Sequence, residues 1–278
     1  MSGFIAIGVS GSDRAHPALH WGIDYAIAHG LRLQLVHVVD TTWGEAAAEF
    51  VTAAVVAAEQ RIQEEADRVS SQHPELAVHG VALVGAPDRE LVRFAAKAEL
   101  LVVGSHPLER FGDLVFSRTA ARIAERAECT VAVIPADVET GGGGVVVGVD
   151  GSELSMKAVQ FAAAEGDRFD EPLTAVHAWV RPWPWENEDA YIWPDAPGEE
   201  DQVVLSESLA GLREQYPDLK VIRSLPTARP ADALYAAALG ARLLAVGSHG
   251  RNGLERAFFG SVSEDLLLAM PCPVVVVR

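Results

Sequence analysis

Short apolar runs alternate with amphipathic stretches along the whole chain, and that alternation predicts its elements. In the second half, strands are expected at Val145–Val149, Leu173–Val180, Lys220–Ser224, Leu243–Gly247 and Val274–Val277. Between them, apolar positions recurring every three or four residues predict helices at Leu154–Ala164, around Asp201–Gln215, at Ala231–Leu239 and at Val262–Ala269. Strands that are apolar on both faces belong in a parallel sheet covered by helices on both sides. Right-handed crossovers then give an α/β fold with an open, doubly wound sheet of five strands. The first half carries the same alternation. Its stretch Glu45–Val69 is acidic on one face and apolar on the other, the pattern of a helix covering a core.

The two halves are the same unit written twice. IAIGVSGSDRAHPAL at Ile5–Leu19 matches VVVGVDGSELSMKAV at Val145–Val159, and LQLVHVV at Leu33–Val39 matches LTAVHAW at Leu173–Trp179. APDRELVRFAAKAELLVVGSH at Ala86–His106 matches RPADALYAAALGARLLAVGSH at Arg229–His249, and CTVAVIP at Cys129–Pro135 matches CPVVVVR at Cys272–Arg278. Glycines 141–144 between the copies have linker composition. The expected organisation is a first domain at 1–138, a linker at 139–144 and a second domain at 145–278, each with its own five-stranded parallel sheet.

Composition narrows the partners. With 39 acidic and 22 basic side chains the net charge is −17, which argues against a general electrostatic grip on nucleic acid or anionic lipid. No apolar run reaches the roughly 18 residues of a membrane span, and FIAIGV near the start has neither the length nor the preceding cationic region of a secretion signal. Cys129 and Cys272 are too few for a disulfide framework. The expectation is a reduced, cytoplasmic protein.

In such sheets ligands bind at the carboxyl ends of strands, where the strand order reverses. Two segments at that edge stand out, GSHGRNGLERAFFGSVSED at Gly247–Asp265 and GSHPLERFGDLVFSRTAAR at Gly104–Arg122. In the second copy Gly247, Gly250 and Gly260 precede a helix expected to begin near Ser261, where SVSE has the form of a capping box. Glycines admit positive φ and close backbone approach. A helix start adds unpaired N–H groups and partial positive charge. Ser261 and Ser263 offer hydroxyls and Arg251 a charge. The same pattern is also compatible with a glycine-rich turn that binds nothing. Asp150, after the first strand in VDGS, suits a ribose hydroxyl or a base edge, and equally suits a helix N-cap.

VDGS after one strand, VHA after the next and G-x2-G-x9-G-S before the last helix resemble the universal stress protein family in its tandem form, over essentially the whole chain. The resemblance implies an adenosine nucleotide (ATP, or ADP or AMP, with Mg on its phosphates) lying across the strand ends of a Rossmann-like α/β/α sandwich. Asp150 would meet the adenosine and the backbone of Ala178 the base. Gly247, Gly250, Gly260 and Ser261, with the N–H of Val262, would hold ribose and phosphates. It further implies a role in stress adaptation, pseudo-twofold pairing of the two copies through VAVIP and VVVVR, and possible homodimers. Copy one departs from the motif, with Ser10 for the aspartate, Pro107 for Gly250, Ser117 for Gly260 and Arg118 for Ser261. Proline lacks a donor, and a side chain at a positive-φ position is strained, so copy one is expected not to hold a triphosphate. Arg110 and Arg118 leave open a different anion there.

Other residues have plainer readings. His37 and His177, inside equivalent strands, are expected to be satisfied structural histidines. His106 and His249 either reach a phosphate or mark surface turns. The segment Arg181–Asp195, with Trp183, Trp185, Tyr191 and Trp193, is a lid, a partner contact or a loop packed on its own domain. Three functions compete: a nucleotide-binding regulatory module without catalysis, a slow ATP hydrolase or adenylyl-transferring enzyme, and a scaffold that binds nothing. No Walker lysine or positioned base supports the enzyme.

Overall fold

The computed structural model describes residues 3–10, 17–42, 48–105, 107–110, 113–116, 118–136, 142–179, 197–250 and 259–278. The chain divides into two compact units, Met1–Val138 and Glu139–Arg278.

Unit one contains β1 (Phe4–Gly8), α1 (Pro17–His29), β2 (Arg32–Asp40), α2 (Ala48–Gln72), β3 (Val78–Gly85), α3 (Pro87–Ala95) and β4 (Leu100–Ser105). A short pair β5 (Pro107–Arg110) and β6 (Asp113–Phe116) comes next, then α4 (Arg118–Arg126) and β7 (Thr130–Pro135). Its parallel sheet runs β7-β4-β1-β2-β3. Ile5, Ile7, Leu33, Leu35 and Val102 are fully buried, as expected for strands covered on both faces. On α2, Ala58, Ile62, Ala66 and Val69 form the buried stripe.

Unit two contains β8 (Val145–Gly148), α5 (Glu153–Phe169), β9 (Leu173–Val176), α6 (Glu199–Ser208), α7 (Leu212–Gln215) and β10 (Val221–Ser224). It ends with α8 (Pro230–Ala238), β11 (Leu243–Gly247), α9 (Ser261–Ala269) and β12 (Val274–Val277). The parallel order is β10-β9-β8-β11-β12. The direction of winding reverses between β8 and β11, which makes their carboxyl ends the switch point.

Two expectations need correction. The single helix expected around 201–215 is broken into α6 and α7 at Gly211, whose φ of 79° no continuing α-helix allows. In copy one the segment read as a loop forms the antiparallel pair β5–β6, with Pro107 opposite Phe116. Its sequence, PLER and DLVF joined by two residues including Gly112, is a hairpin signal. Pro107 opens the strand, where a missing N–H is tolerated.

The amino-terminal edge of unit two is tied by charge. Arg242, just before β11, gives Nε and Nη2 to Glu171 Oε1 at 2.9 and 2.6 Å, and the Gly144 N–H gives to Oε2 at 2.6 Å. The Arg242 and Arg168 guanidinium carbons lie 4.1 and 3.8 Å from the Phe169 ring centroid. Burial alone would raise the Glu171 carboxyl. The Arg242 and Gly144 hydrogen bonds and the Arg242 charge outweigh it and hold the group below its usual value.

A carboxyl lowered in the folded state contributes stability above its unfolded pKa and loses it as pH falls through the folded one. Glu171→Gln is therefore expected to lower urea stability at pH 7 by roughly 1 kcal/mol. The difference from the parent should shrink as pH drops below the ordinary carboxylate range, and an unchanged difference at acid pH contradicts the assignment. Cys272, with its thiol pushed up to about 12 by burial, is expected to resist thiol reagents at pH 7 until the protein is denatured.

Candidate functional site

The carboxyl ends of β8, β9 and β11 and the start of α9 enclose a cleft of about 690 Å3, within the size range of small-molecule sites. Its apolar wall includes Pro230, Leu234, Val246 and Phe259, and its polar groups come from the turns that follow the strands.

After β8, Asp150 turns the chain into α5. Its Oδ1 accepts the Ser152 N–H at 2.9 Å, while the α5 N-cap is Ser152, whose Oγ accepts the Ser155 N–H. The capping role that competed for Asp150 thus belongs to Ser152. Gly151 between them has φ of 78°. Asp150 lines the cleft, and Oδ2 lies on the side of Gly250, where a Cβ would come within 2.5 Å of it.

After β9, the His177 Nδ1 lies 2.7 Å from the Val149 carbonyl; a carbonyl only accepts, so Nδ1 donates. Nε2 lies 3.2 Å from Asp201 Oδ1, and the other Asp201 oxygen accepts the Gly198 N–H at the start of α6. His177 is 4% exposed and is the satisfied histidine expected from its strand position. Its equivalent, His37, makes the same bond to the Val9 carbonyl at 2.8 Å. Asp201 was missed, because a partner 24 residues away leaves no local spacing signal. The next residue, Ala178, lines the cleft, and its N–H and C=O have no partner among the described residues.

After β11, each glycine has a different job. None of Gly247, Gly250 and Gly260 has positive φ, so the conformational argument for them is replaced by one of space. A Cβ on Gly247 would stand 3.0 Å from Leu154 and 3.1 Å from the Ser155 backbone nitrogen, so this glycine lets β11 pass under the start of α5. Gly250 makes room for the Asp150 carboxylate. Gly260 has nothing nearer than 3.4 Å and serves as the α9 N-cap, with φ of −69° and no side-chain cap. The Gly260 N–H gives to the Ser248 carbonyl at 2.9 Å.

The helix start sits one residue from where SVSE alone places it. Ser261 is the first helical residue and Gly260 the cap, so no side chain caps this helix. The N–H groups of Ser261, Val262 and Ser263 are those that a helix leaves without internal partners, and all three residues line the cleft. Ser263 Oγ donates to the Gly247 carbonyl at 2.8 Å. Its hydroxyl therefore anchors α9 to β11. Arg251, Ser117, His106 and the tryptophan-rich segment 181–195 lie outside the described residues, as do the side chains of Pro107, Arg110 and Arg118. Ser10, the equivalent of Asp150 in unit one, is exposed at the end of β1.

Gly247→Ala is expected to destabilise the protein by about 1–3 kcal/mol, since backbone atoms must shift to admit the methyl group. Gly260→Ala, at an ordinary φ where the methyl group meets only van der Waals contacts, is expected to stay within about 0.5 kcal/mol of the parent. Thermal melts of the two variants check the ranking, and equal losses contradict it.

The geometry agrees with what related proteins show of the fold. The family model described as "Universal stress protein family" matches residues 1–135 and 144–278. A universal stress protein of Mycobacterium tuberculosis (strain ATCC 25618 / H37Rv) is 32% identical over 298 residues, covering 99% of this chain and 96% of its own. One of Mycolicibacterium smegmatis is 30% identical over 291 residues, with 99% and 96% covered. A solved universal stress protein of Archaeoglobus fulgidus covers 99% of this chain and 98% of its own at a TM-score of 0.73 and 16% identity, a likeness of fold. Two family matches in tandem, full-length relatives and a parallel sheet in each unit lead to one conclusion: the chain belongs to the universal stress protein family.

Proposed function

We propose that unit two binds an adenosine nucleotide in the cleft over β8, β9 and β11, and that the chain is a nucleotide-dependent regulatory module of stress adaptation. The observation that carries this reading is the convergence, in one cleft, of three unlike groups. Ala178 offers a backbone donor and acceptor that have no partner among the described residues, which suits the edge of a base. Asp150 stands at the switch point, where a carboxylate suits a ribose. The α9 start presents N–H groups without partners inside the helix, behind a cap with no side chain, which suits phosphate.

ATP is the nucleotide we assign, with ADP or AMP as shorter forms and Mg held by the phosphates; Arg251 adds a charge to the same end. The bound state, not turnover, is the output in this reading, and the cytoplasm is where it acts. One nucleotide per chain is expected, because copy one replaces Asp150, Gly250, Gly260 and Ser261 with Ser10, Pro107, Ser117 and Arg118. Pairing of the two copies through their last strands, carried over from the family resemblance, belongs to the same proposal.

Calorimetric titration of the full chain with ATP tests it. The parent is expected to bind one equivalent. Asp150→Ala should weaken binding roughly tenfold, the scale of one hydrogen bond to a charged group. Gly250→Pro with Ser261→Arg should weaken it more than about a hundredfold, since it crowds Asp150 and puts a bulky side chain at the start of α9. A folded double variant that holds ATP as tightly as the parent shows that this loop is not the phosphate site.

A further inference from the structure

The phosphate end of the cleft contains a histidine whose tautomer is set by its neighbour. Ser248 follows β11 and is 1% exposed. Its backbone is used on both sides, the N–H giving to the Val277 carbonyl at 3.0 Å and the C=O accepting from the Gly260 N–H at 2.9 Å. Its hydroxyl lies 2.8 Å from the His249 Nδ1. A buried hydroxyl left without an acceptor is costly, and Nδ1 is the acceptor this geometry offers. Assigned from that network, the ring proton sits on Nε2.

His249 lines the cleft, and its Cα would lie 3.6 Å from a Cβ on Gly260, so it stands beside the uncapped start of α9. No lysine or arginine lines the cleft among the described residues. Among the described residues, an anion drawn to the helix start thus has the backbone N–H groups, the Ser261 hydroxyl and the His249 Nε2–H as its nearby donors.

We propose that His249 is the side chain that selects a phosphorylated nucleotide over the bare nucleoside, with Ser248 as the positioning residue that keeps Nε2–H available to the anion. This rests on the nucleotide reading of the same cleft. The selectivity follows from placement. The base-reading backbone of Ala178 is at the end of β9, whereas His249 belongs to the β11–α9 side, so a nucleoside without phosphate has nothing to offer it.

The test is titration of the full chain with ATP and, separately, with adenosine. His249→Ala is expected to lose about tenfold in ATP affinity, the scale of one charge-assisted hydrogen bond, while adenosine affinity stays within about twofold. His249→Gln, which restores an N–H near the Nε2 position, should recover most of the ATP affinity. Ser248→Ala, which releases the tautomer, should lose a part of it with adenosine again unchanged. Equal ATP affinity in His249→Ala and parent overturns the proposal, and so does an equal loss of both ligands, which marks a structural role. Either result leaves the nucleotide reading standing if the parent binds ATP. A parent that binds neither ligand removes the nucleotide reading and the His249 assignment together.

Discussion

In a parallel sheet every strand delivers its last residue to the same edge, and the chain must leave that edge by a turn with backbone groups still unpaired. In unit two this constraint shapes each residue around the cleft. Some of the unpaired groups are met internally: Ser263 Oγ takes the Gly247 carbonyl, Gly260 N–H takes the Ser248 carbonyl, and His177 takes the Val149 carbonyl. What remains is concentrated where β8, β9 and β11 face α9. The cleft is therefore the set of backbone groups that the fold leaves over at its switch point, surrounded by the side chains that satisfy the rest.

Close approach is the second consequence. For β11 to lie beside β8 while α5 crosses above, Gly247 must carry no side chain. A side chain on Gly250 would displace the Asp150 carboxylate from its present place in the cleft. The glycines of the motif thus serve different neighbours, and Gly260 differs from both in being a cap where an added Cβ would make only ordinary van der Waals contacts. At the other edge of the sheet Glu171 joins Arg242 to the backbone of Gly144, so the segments entering β8, β9 and β11 are held to one another. The two edges differ: one fixes the strands in place, and the other opens into the cleft.

The duplicated chain shows how such an edge diverges. Both copies keep the histidine that bonds back to the end of the first strand, His37 to Val9 and His177 to Val149. That link holds neighbouring strand ends together, and it does not depend on a ligand. The segment after β4 forms the paired strands β5 and β6, where the unit-two sequence has Gly250, Gly253 and Gly260. A hairpin satisfies its own backbone groups.

By itself the sequence determined the duplication, the alternation of strand and helix, and the edge at which a site must lie. Those follow from periodicity and from the rules of parallel sheets, which are local or topological. Strands β11 and β12 matched their expected ends because apolar runs bounded by glycine, proline or a charge leave little choice. The break at Gly211, the hairpin in copy one and the Gly260 cap are places where the local pattern permits more than one conformation. Only the tertiary structure decided what each glycine approaches, that Ser152 and not Asp150 caps α5, that Asp201 meets His177, and that Ser263 is spent on Gly247. These are contacts between residues far apart in the chain or on different elements. Spacing cannot report them, because distance along a sequence carries no record of which turns the sheet folds back over one another.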